Sequence, residues 1–346
     1  MEKPLQVGMV NPPRLDDVAQ RAGVSSATVS RVLNQPGKVT EALRSRVQRA
    51  VEELGYVPHG AARALASRRS KTVGAIVPTI DNAIFAASLQ HLQDKLSSSG
   101  YTLLLASSNY DLDHERKECQ ALVEKNIDGL ILVGESHHPS VYRMLISKGV
   151  PYVNIWIYDE DSEHPCVGFD NYQSAQHITN YLLDIGHREI GMIAGINHGN
   201  DRATARSAGV RDCLEQRGFP FRDGRYLEMR YEVSEGRVAT RKMLATESPP
   251  TAIICGNDIL ALGAMFECQK QGYKVPTDMS ITGYDGLDIA AQVSPGITTV
   301  HIPAKDMGHT AAEYIMGRLE DENVVEKTLL QANLVIREST APPRGH

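Results

Sequence analysis

Leu15-Asp16-Asp17-Val18-Ala19-Gln20-Arg21-Ala22-Gly23-Val24-Ser25-Ser26-Ala27-Thr28-Val29-Ser30-Arg31-Val32-Leu33-Asn34 is the stretch that decides how this chain is built. Leu15, Val18 and Ala19 fall at i, i+3 and i+4 and mark one face of a short helix. Asp16 and Asp17 sit in its first turn, where their charge favours the positive end of the helix dipole, and Gly23 ends it. Ser25 is placed to cap a second helix by accepting one of its first N–H groups. Val29, Val32 and Leu33 form the apolar stripe of that helix. Two short helices joined by Ala22-Gly23-Val24-Ser25 make a helix-turn-helix. The polar face of the second helix carries Ser26, Ala27, Ser30 and Arg31. With short side chains around one arginine, it can approach a major groove closely while the guanidinium reaches guanine. A solvated helix pair shows the same pattern, so the motif alone leaves both readings open.

Further along, Thr40 is positioned to cap a third helix with Val47, Val51 and Leu54 on one face and Arg44, Arg46 and Arg49 on others, closed by Gly55. A module of about 45 residues has a small core and is marginal alone. Tyr56-Val57-Pro58-His59-Gly60-Ala61-Ala62-Arg63-Ala64-Leu65-Ala66-Ser67 comes next, alanine-rich and following a proline. A helix of about two turns is unstable alone in water, so this segment reads as a linker that orders when something docks against it.

The charge distribution agrees. Residues 1–71 hold 12 Lys+Arg against 6 Asp+Glu, a net of +6, while the whole chain holds 36 against 42; the rest therefore carries 24 against 36, a net of -12. A basic head on an acidic body points to a nucleic-acid or membrane contact at one end. The length of 346 residues implies about two to three domains. There is no run of about 18 apolar residues, so no membrane span is expected, and Met1–Val7 lacks the apolar core of a signal peptide. Cys119, Cys166, Cys213, Cys255 and Cys268 are scattered and odd in number, as expected of buried, reduced thiols in a cytoplasmic protein.

Residues 15–67 resemble the headpiece and hinge of the lactose-repressor (LacI/GalR) family of bacterial transcription regulators. The resemblance is carried by Asp17-Val18-Ala19, Ala22-Gly23-Val24-Ser25, Thr28-Val29-Ser30-Arg31-Val32-Leu33-Asn34, Leu54-Gly55-Tyr56-Val57-Pro58 and Ala62-Arg63-Ala64-Leu65. It implies a homodimer on a pseudo-palindromic, double-stranded operator, with DNA contacts from Ser25, Ser26, Ala27, Thr28, Ser30, Arg31, Asn34, Thr40, Tyr56, His59, Ala62 and Leu65. Residues 26–33 would form the recognition helix, and paired hinge segments would place Leu65 as a wedge in the minor groove, where apolar wedges kink DNA. Three positions depart from the family pattern. Arg14 stands where a Thr usually caps the first helix, Leu43 replaces a phosphate-facing Thr, and His59 replaces the Asn that caps the hinge helix.

From Thr72 onward short apolar runs alternate with helical stretches. The runs are 73–78, 101–106, 129–133, 152–157, 190–194, 252–255 and 280–283; the helices include 84–98, 174–185 and 258–271. This alternation implies parallel sheets covered on both faces, and about 270 residues make two α/β lobes with a cleft between them the economical arrangement. Chain crossovers between lobes are expected at 159–165, near 285–296 and near 301–304. The expected order is an N-terminal extension (1–13), a helix-turn-helix domain (14–57), a hinge (58–71), a two-lobed body (72–337) and a tail (338–346). The fold class is thus α/β with an N-terminal helix-turn-helix headpiece. The resemblance extends to the body through Gly168-Phe169-Asp170-Asn171, Gly186–Gly191, Asn257-Asp258 and Gly283-Tyr284-Asp285, and implies a doubly wound fold like that of periplasmic sugar-binding proteins. Ala264–Gln269 and Val275–Met279 look most similar to the gluconate-responsive branch.

Ligands of such sheets bind at the carboxyl ends of strands, and polar residues there are the candidates. Arg206, three residues before Gly209, matches the family's effector-binding arginine, and a guanidinium donates a rigid fork of N–H groups. Asp285 and Asn257 end strands; Asp258 is expected to cap the following helix. Tyr231 and Trp156 offer aromatic faces for a sugar, and Asn82, Phe85 and Asp170 are placed at the cleft mouth. The expected effector is a sugar or sugar acid. A G-x-G-x-x-G after the first strand, a P-loop and a nucleophile elbow are all lacking, and His137-His138 has no companions at metal spacing. No catalytic residue, metal or cofactor is expected. A sugar-binding transport protein of the same body fold and a cytoplasmic α/β enzyme are the competing readings. No leucine heptads follow Arg337, so a dimer rather than a tetramer is expected.

Overall fold

The computed structural model describes residues 12–58 and 69–344, and the chain divides into a head, Met1–Ser70, and a body, Lys71–His346.

The head contains α1 (Leu15–Ala22), α2 (Ser26–Asn34), a single 3-10 turn at Pro36–Lys38 and α3 (Glu41–Leu54). Gly23 and Gly55 end α1 and α3 in the left-handed conformation, as the sequence implies. Val18, Ala19, Ala22, Val29, Val32, Val47, Ala50 and Tyr56 form its core. The Ser25 hydroxyl accepts the Thr28 N–H at 3.2 Å and caps α2. Arg14 makes no side-chain cap; the Asp17 carboxylate instead accepts the Arg14 N–H at 2.7 Å. Thr40 occupies the N-cap position of α3, but its side chain makes no cap bond, contrary to expectation. His59, Ala62 and Leu65 of the hinge lie outside the described residues.

The body holds two six-stranded sheets. The first lobe contains β1 (Thr72–Val77), α4 (Ala83–Ser98), β2 (Thr102–Ser107), α5 (Leu112–Glu124), β3 (Gly129–Val133), α6 (Pro139–Lys148), β4 (Tyr152–Ile155) and β5 (Cys166–Gly168). The second begins with α7 (Asn171–Asp184) and continues through β6 (Ile190–Gly195), α8 (Asp201–Gln216), β7 (Tyr226–Met229), α9 (Val233–Leu244), β8 (Ala252–Cys255), α10 (Asp258–Lys270), β9 (Ser280–Asp285), α11 (Asp288–Gln292) and β10 (Thr298–His301). The chain then returns to the first lobe with α12 (Ala304–Leu319) and β11 (Lys327–Leu329), and re-enters the second with β12 (Asn333–Val335). The sheet orders are β11-β5-β4-β3-β1-β2 and β12-β10-β9-β8-β6-β7. Strand pairs are parallel except β10–β12. The residues of β3, β6, β8 and β9 are all buried, as strands covered by helices on both faces must be.

The chain crosses between lobes three times: between β5 and α7, between β10 and α12, and between β11 and β12. Only the crossing at 301–304 was expected. The 159–165 stretch joins β4 to β5 within one sheet, and 285–296 joins β9 to β10 within the other. Polarity there marks exposed turns: the Asp159 carboxylate accepts the Asp161 N–H at 2.9 Å in a local turn. The segment from 338 is also not a free tail. Ser339 is fully buried and donates its hydroxyl to the Ile281 carbonyl at 2.5 Å, and the Ala341 N–H donates to Ser280 Oγ at 3.1 Å, so the body runs through residue 341. All five cysteines are buried and free.

Candidate nucleic-acid interface and ligand cleft

On the head, α2 leaves Ala27, Arg31 and Asn34 exposed and Ser26, Thr28 and Ser30 half-buried. The Ser26 hydroxyl donates to Asp16 Oδ1 at 2.5 Å, and Asn34 donates to Ser30 Oγ at 3.2 Å. Arg31 is the long cationic side chain on this face. Thr40 is exposed at the head of α3. Tyr56 is not available on the surface: its ring is 8% exposed and belongs to the head's core, because the turn at Gly55 folds it back onto α3.

In the body, the carboxyl ends of both sheets face a common cleft. Asn82 follows β1, Tyr110 follows β2 and Trp156 follows β4; Asn200 follows β6, Tyr231 follows β7, Asn257 follows β8 and Asp285 ends β9. An outer chamber of about 700 Å³ is lined by Pro78, Asp81, Asn82, Tyr110, His198, Asn200, Arg230, Tyr231 and Glu232, among others. A narrow inner chamber, about 20 Å³, lies against Asn82, Phe85, Tyr110, Trp156, Asn200, Arg202, Arg206, Tyr231, Asn257 and Asp285. Seven of the eight expected effector residues meet there. Asp170 does not: its carboxylate accepts the Gln173 N–H at 2.9 Å and caps α7.

Arg206 organises the inner chamber. Its Nη1 donates to Asn171 Oδ1 and its Nη2 to the Tyr231 hydroxyl, both at 3.0 Å, and the guanidinium lies 4.6 Å over the Tyr284 ring. Burial opposes its charge, but Tyr231, Tyr284 and Asp285 outweigh that and hold its pKa above the ordinary value. Burial also pushes the Asp285 carboxyl well above its ordinary range; Arg206 opposes this and Asp258 adds to it. Gly195 gives Tyr231 its place, since a Cβ there would stand 2.1 Å from the tyrosine oxygen.

Three buried donors of this chamber have no partner among the described residues: Trp156 Nε1, Arg206 Nε and Asn257 Nδ2. Leaving a buried donor unpaired costs about 1–3 kcal/mol. Backbone strain gathers at the same place. Tyr110, Trp156 and Asp285 have φ of 60°, 71° and 105°, and a bulky residue at positive φ is an outlier of the kind that clusters at ligand sites. Trp156 is held there by its N–H on Met307 Sδ at 3.1 Å, by Asn171 donating to its carbonyl at 2.9 Å, and by an edge-to-face contact with Phe85 at 5.0 Å.

Asn257 takes both roles expected of the Asn257-Asp258 pair. Asn257 caps α10, its Oδ1 accepting the Leu260 N–H at 2.9 Å while its amide nitrogen turns to the chamber. Asp258 caps nothing; it accepts from Thr299 Oγ1 and the Leu287 N–H, both at 2.7 Å, and so joins β9 and β10 to α10. Sequence reasoning missed Tyr110, Asn200 and Arg202. Arg202 was legible, since it lies one helical turn before Arg206 and shares its face; Tyr110 and Asn200 sit in polar loops without a distinguishing pattern. Ala264–Gln269 lies on α10 and Val275–Met279 before β9; neither lines the cleft. The described residues hold no group of three or more His, Cys, Asp or Glu placed to bind a metal, and no described helix is long and apolar enough to cross a membrane.

Residues 14–59 match the family described as bacterial regulatory proteins, lacI family, and residues 179–340 match the periplasmic binding protein-like domain. The HTH-type transcriptional regulator GntR of Escherichia coli (strain K12) is 34% identical over 322 residues, covering 92% of this chain and 95% of that one. A solved LacI-family transcriptional regulator from Silicibacter pomeroyi superposes with a TM-score of 0.88 at 28% identity, over 95% of this chain and 100% of the other. The solved complex of the transcriptional regulator CelR with cellobiose gives a TM-score of 0.70 at 29% identity, over 94% and 99%. The chain belongs to the lacI family of bacterial regulatory proteins and is a DNA-binding transcriptional regulator with a periplasmic-binding-protein-like body.

Proposed function

We propose that this regulator is a dimeric repressor whose inner chamber binds a sugar or sugar acid, and that the ligand acts on DNA binding without being turned over. The observation that carries the reading is the set of unpaired buried donors, Trp156 Nε1, Arg206 Nε and Asn257 Nδ2, facing a buried Asp285. Buried polar groups are normally paired, and hydroxyl or carboxylate oxygens on a small ligand supply the missing acceptors. Phe85, Trp156 and Tyr231 offer aromatic surface to the C–H face of a saccharide, and the cellobiose complex of CelR supports that ligand class. The narrow inner chamber opens into the outer one along Asn82, Tyr110, Asn200 and Tyr231, so a ligand that reaches Arg206 touches both lobes, and the lobe movement it favours is what the head and hinge read. Ligand and operator are then coupled by one free energy. The protein works in the bacterial cytoplasm, bound to the nucleoid when on its operator.

The test is a thermal-shift screen over sugars and sugar acids, followed by gel shifts on palindromic DNA with and without the hit. Arg206→Ala is expected to lose the response to ligand while still binding operator; a normal response would refute the site. Trp156 is the single tryptophan, so its emission is expected to change on saturation, and an unchanged spectrum would count against its place at the ligand.

A further inference from the structure

Beside the inner chamber the two lobes touch through a compact polar contact. On the second lobe, Asp201 and Arg202 open α8. On the first, β3 ends at Val133 and turns through Gly134, Glu135 and Ser136. The Glu135 and Ser136 N–H groups donate to Asp201 Oδ2 at 2.5 and 3.2 Å. Arg202 Nη1 donates to the Val133 carbonyl at 3.0 Å and to Asp201 Oδ1 at 2.6 Å. The pair is largely buried, with side-chain exposures of 16% and 7%.

Both sides are built for this contact. Gly134 has φ 84°, and a Cβ on it would stand 1.9 Å from Arg202 Nη1, so the approach needs glycine. The turn is pinned from behind. His137, buried, bonds Glu115 Oε1 through Nδ1 at 2.7 Å and the Gly134 carbonyl through Nε2 at 3.0 Å. The Ser162 hydroxyl donates to Glu135 Oε1 at 2.5 Å. Burial works against the Asp201 charge, but Arg202 and the N–H groups of Glu135, Ser136 and Arg202 outweigh it and hold the carboxyl below its ordinary range.

We propose that Asp201 and Arg202 form a latch that holds the two lobes together in the unliganded protein, and that Arg202, which also lines the inner chamber, connects ligand occupancy to that latch. Charge-assisted hydrogen bonds between groups withdrawn from water are among the stronger polar contacts. The loss of one shifts an open–closed equilibrium by roughly tenfold or more. Apparent ligand affinity scales with the fraction of protein in the binding-competent arrangement, so the latch sets the sensitivity of the regulator as well as its resting state. The second half of the proposal rests on the inner chamber being the effector site; the first half does not.

The experiment uses the full-length protein without ligand. Acrylamide quenching of Trp156, which is 3% exposed and lines the inner chamber with Arg202, reports lobe opening. Amide exchange at Glu135 and Ser136 reports the contact itself. Asp201→Ala is expected to speed exchange at both amides by roughly tenfold and to raise the quenching constant severalfold. Arg202→Met, which keeps the side-chain stem, is expected to do the same, and the two together no more than either alone. Faster exchange with unchanged quenching would reduce the contact to a local one and overturn the latch, as would additive effects of the two substitutions. Should Asp201→Ala fail to fold, Asp201→Asn keeps the shape, weakens the acceptor and carries the same measurement. No ligand enters, so a wrong effector site leaves this result standing.

Discussion

Single residues in this body are placed to do two jobs at once. Asn171 begins α7, accepts from Arg206 and donates to the carbonyl of Trp156, so it joins the buried arginine of the inner chamber to the strained residue on the opposite lobe. Asn171→Ala is expected to weaken ligand-induced stabilisation by a factor of about ten, the effect of one hydrogen bond to a charged group, as measured by the concentration dependence of the thermal shift. His187 is the corresponding point in the scaffold. Its Nδ1 lies 2.8 Å from Thr251 Oγ1, and its Nε2 lies 3.0 Å from the Ala341 carbonyl, which it ties to the second lobe. Burial, reinforced by Arg188 and opposed by the Ala341 hydrogen bond, holds its pKa below the ordinary 6.5. The folded protein therefore binds this proton less readily than the unfolded chain. Stability from this group is intact above about pH 6.5 and falls as the pH drops below that, until the depressed folded pKa is passed. The His187→Gln variant is expected to be less stable at pH 8 yet to lose less between pH 7 and 5.5, compared by denaturant midpoints at each pH.

At the scale of elements, α2 and α3 show what a sequence can and cannot say. The caps and apolar stripes of the head are local, and Ser25, Gly23 and Gly55 behave as their residue types dictate. Ser25→Ala is expected to cost about 1 kcal/mol of head stability, read by thermal unfolding. Arg31→Ala is expected to relax base discrimination at one operator position by about 1–3 kcal/mol, read by competition with point-substituted operators. Leu65→Ala in the hinge is expected to weaken specific binding much more than non-specific binding, and equal losses would remove the wedge role. In the body, long apolar runs such as 73–78 and 129–133 gave their strands away, whereas the edge strands β7, β11 and β12 are only three or four residues long and include exposed positions. Short edge strands lack the uninterrupted apolar signature of central ones. Two of the three crossings were missed because they are two or three residues long and unremarkable in composition, while the conspicuous polar stretches are ordinary solvent-facing turns. Most of the cleft was legible because strand ends are recognisable; that Asn257 and not Asp258 caps α10 was not, because both residue types cap helices and only packing decides which one does.

For the whole molecule, the split between a net of +6 on residues 1–71 and -12 on the rest assigns the two ends different relations to DNA. The head supplies the phosphate attraction, and the body's charge opposes close approach of the duplex. With about six phosphates neutralised, affinity is expected to fall roughly a thousandfold between 50 and 200 mM salt, measured by fluorescence anisotropy on operator DNA. A body fragment starting at Lys71 is expected to show no binding in the same assay.

The triple threading of the chain between lobes has a consequence for synthesis. Ribosomes deliver domains in order, and early ones commonly fold before later ones emerge. Here the first lobe cannot be completed that way, because α12 and β11 arrive only after α7 to β10 of its neighbour have left the exit tunnel. Until then the seat of Met307, Ala311 and Ile315, all fully buried in the finished protein, stays uncovered. A nascent chain stalled near residue 300 is thus expected to be a client of chaperones, and premature stop codons late in the gene should yield aggregates in place of a working first lobe.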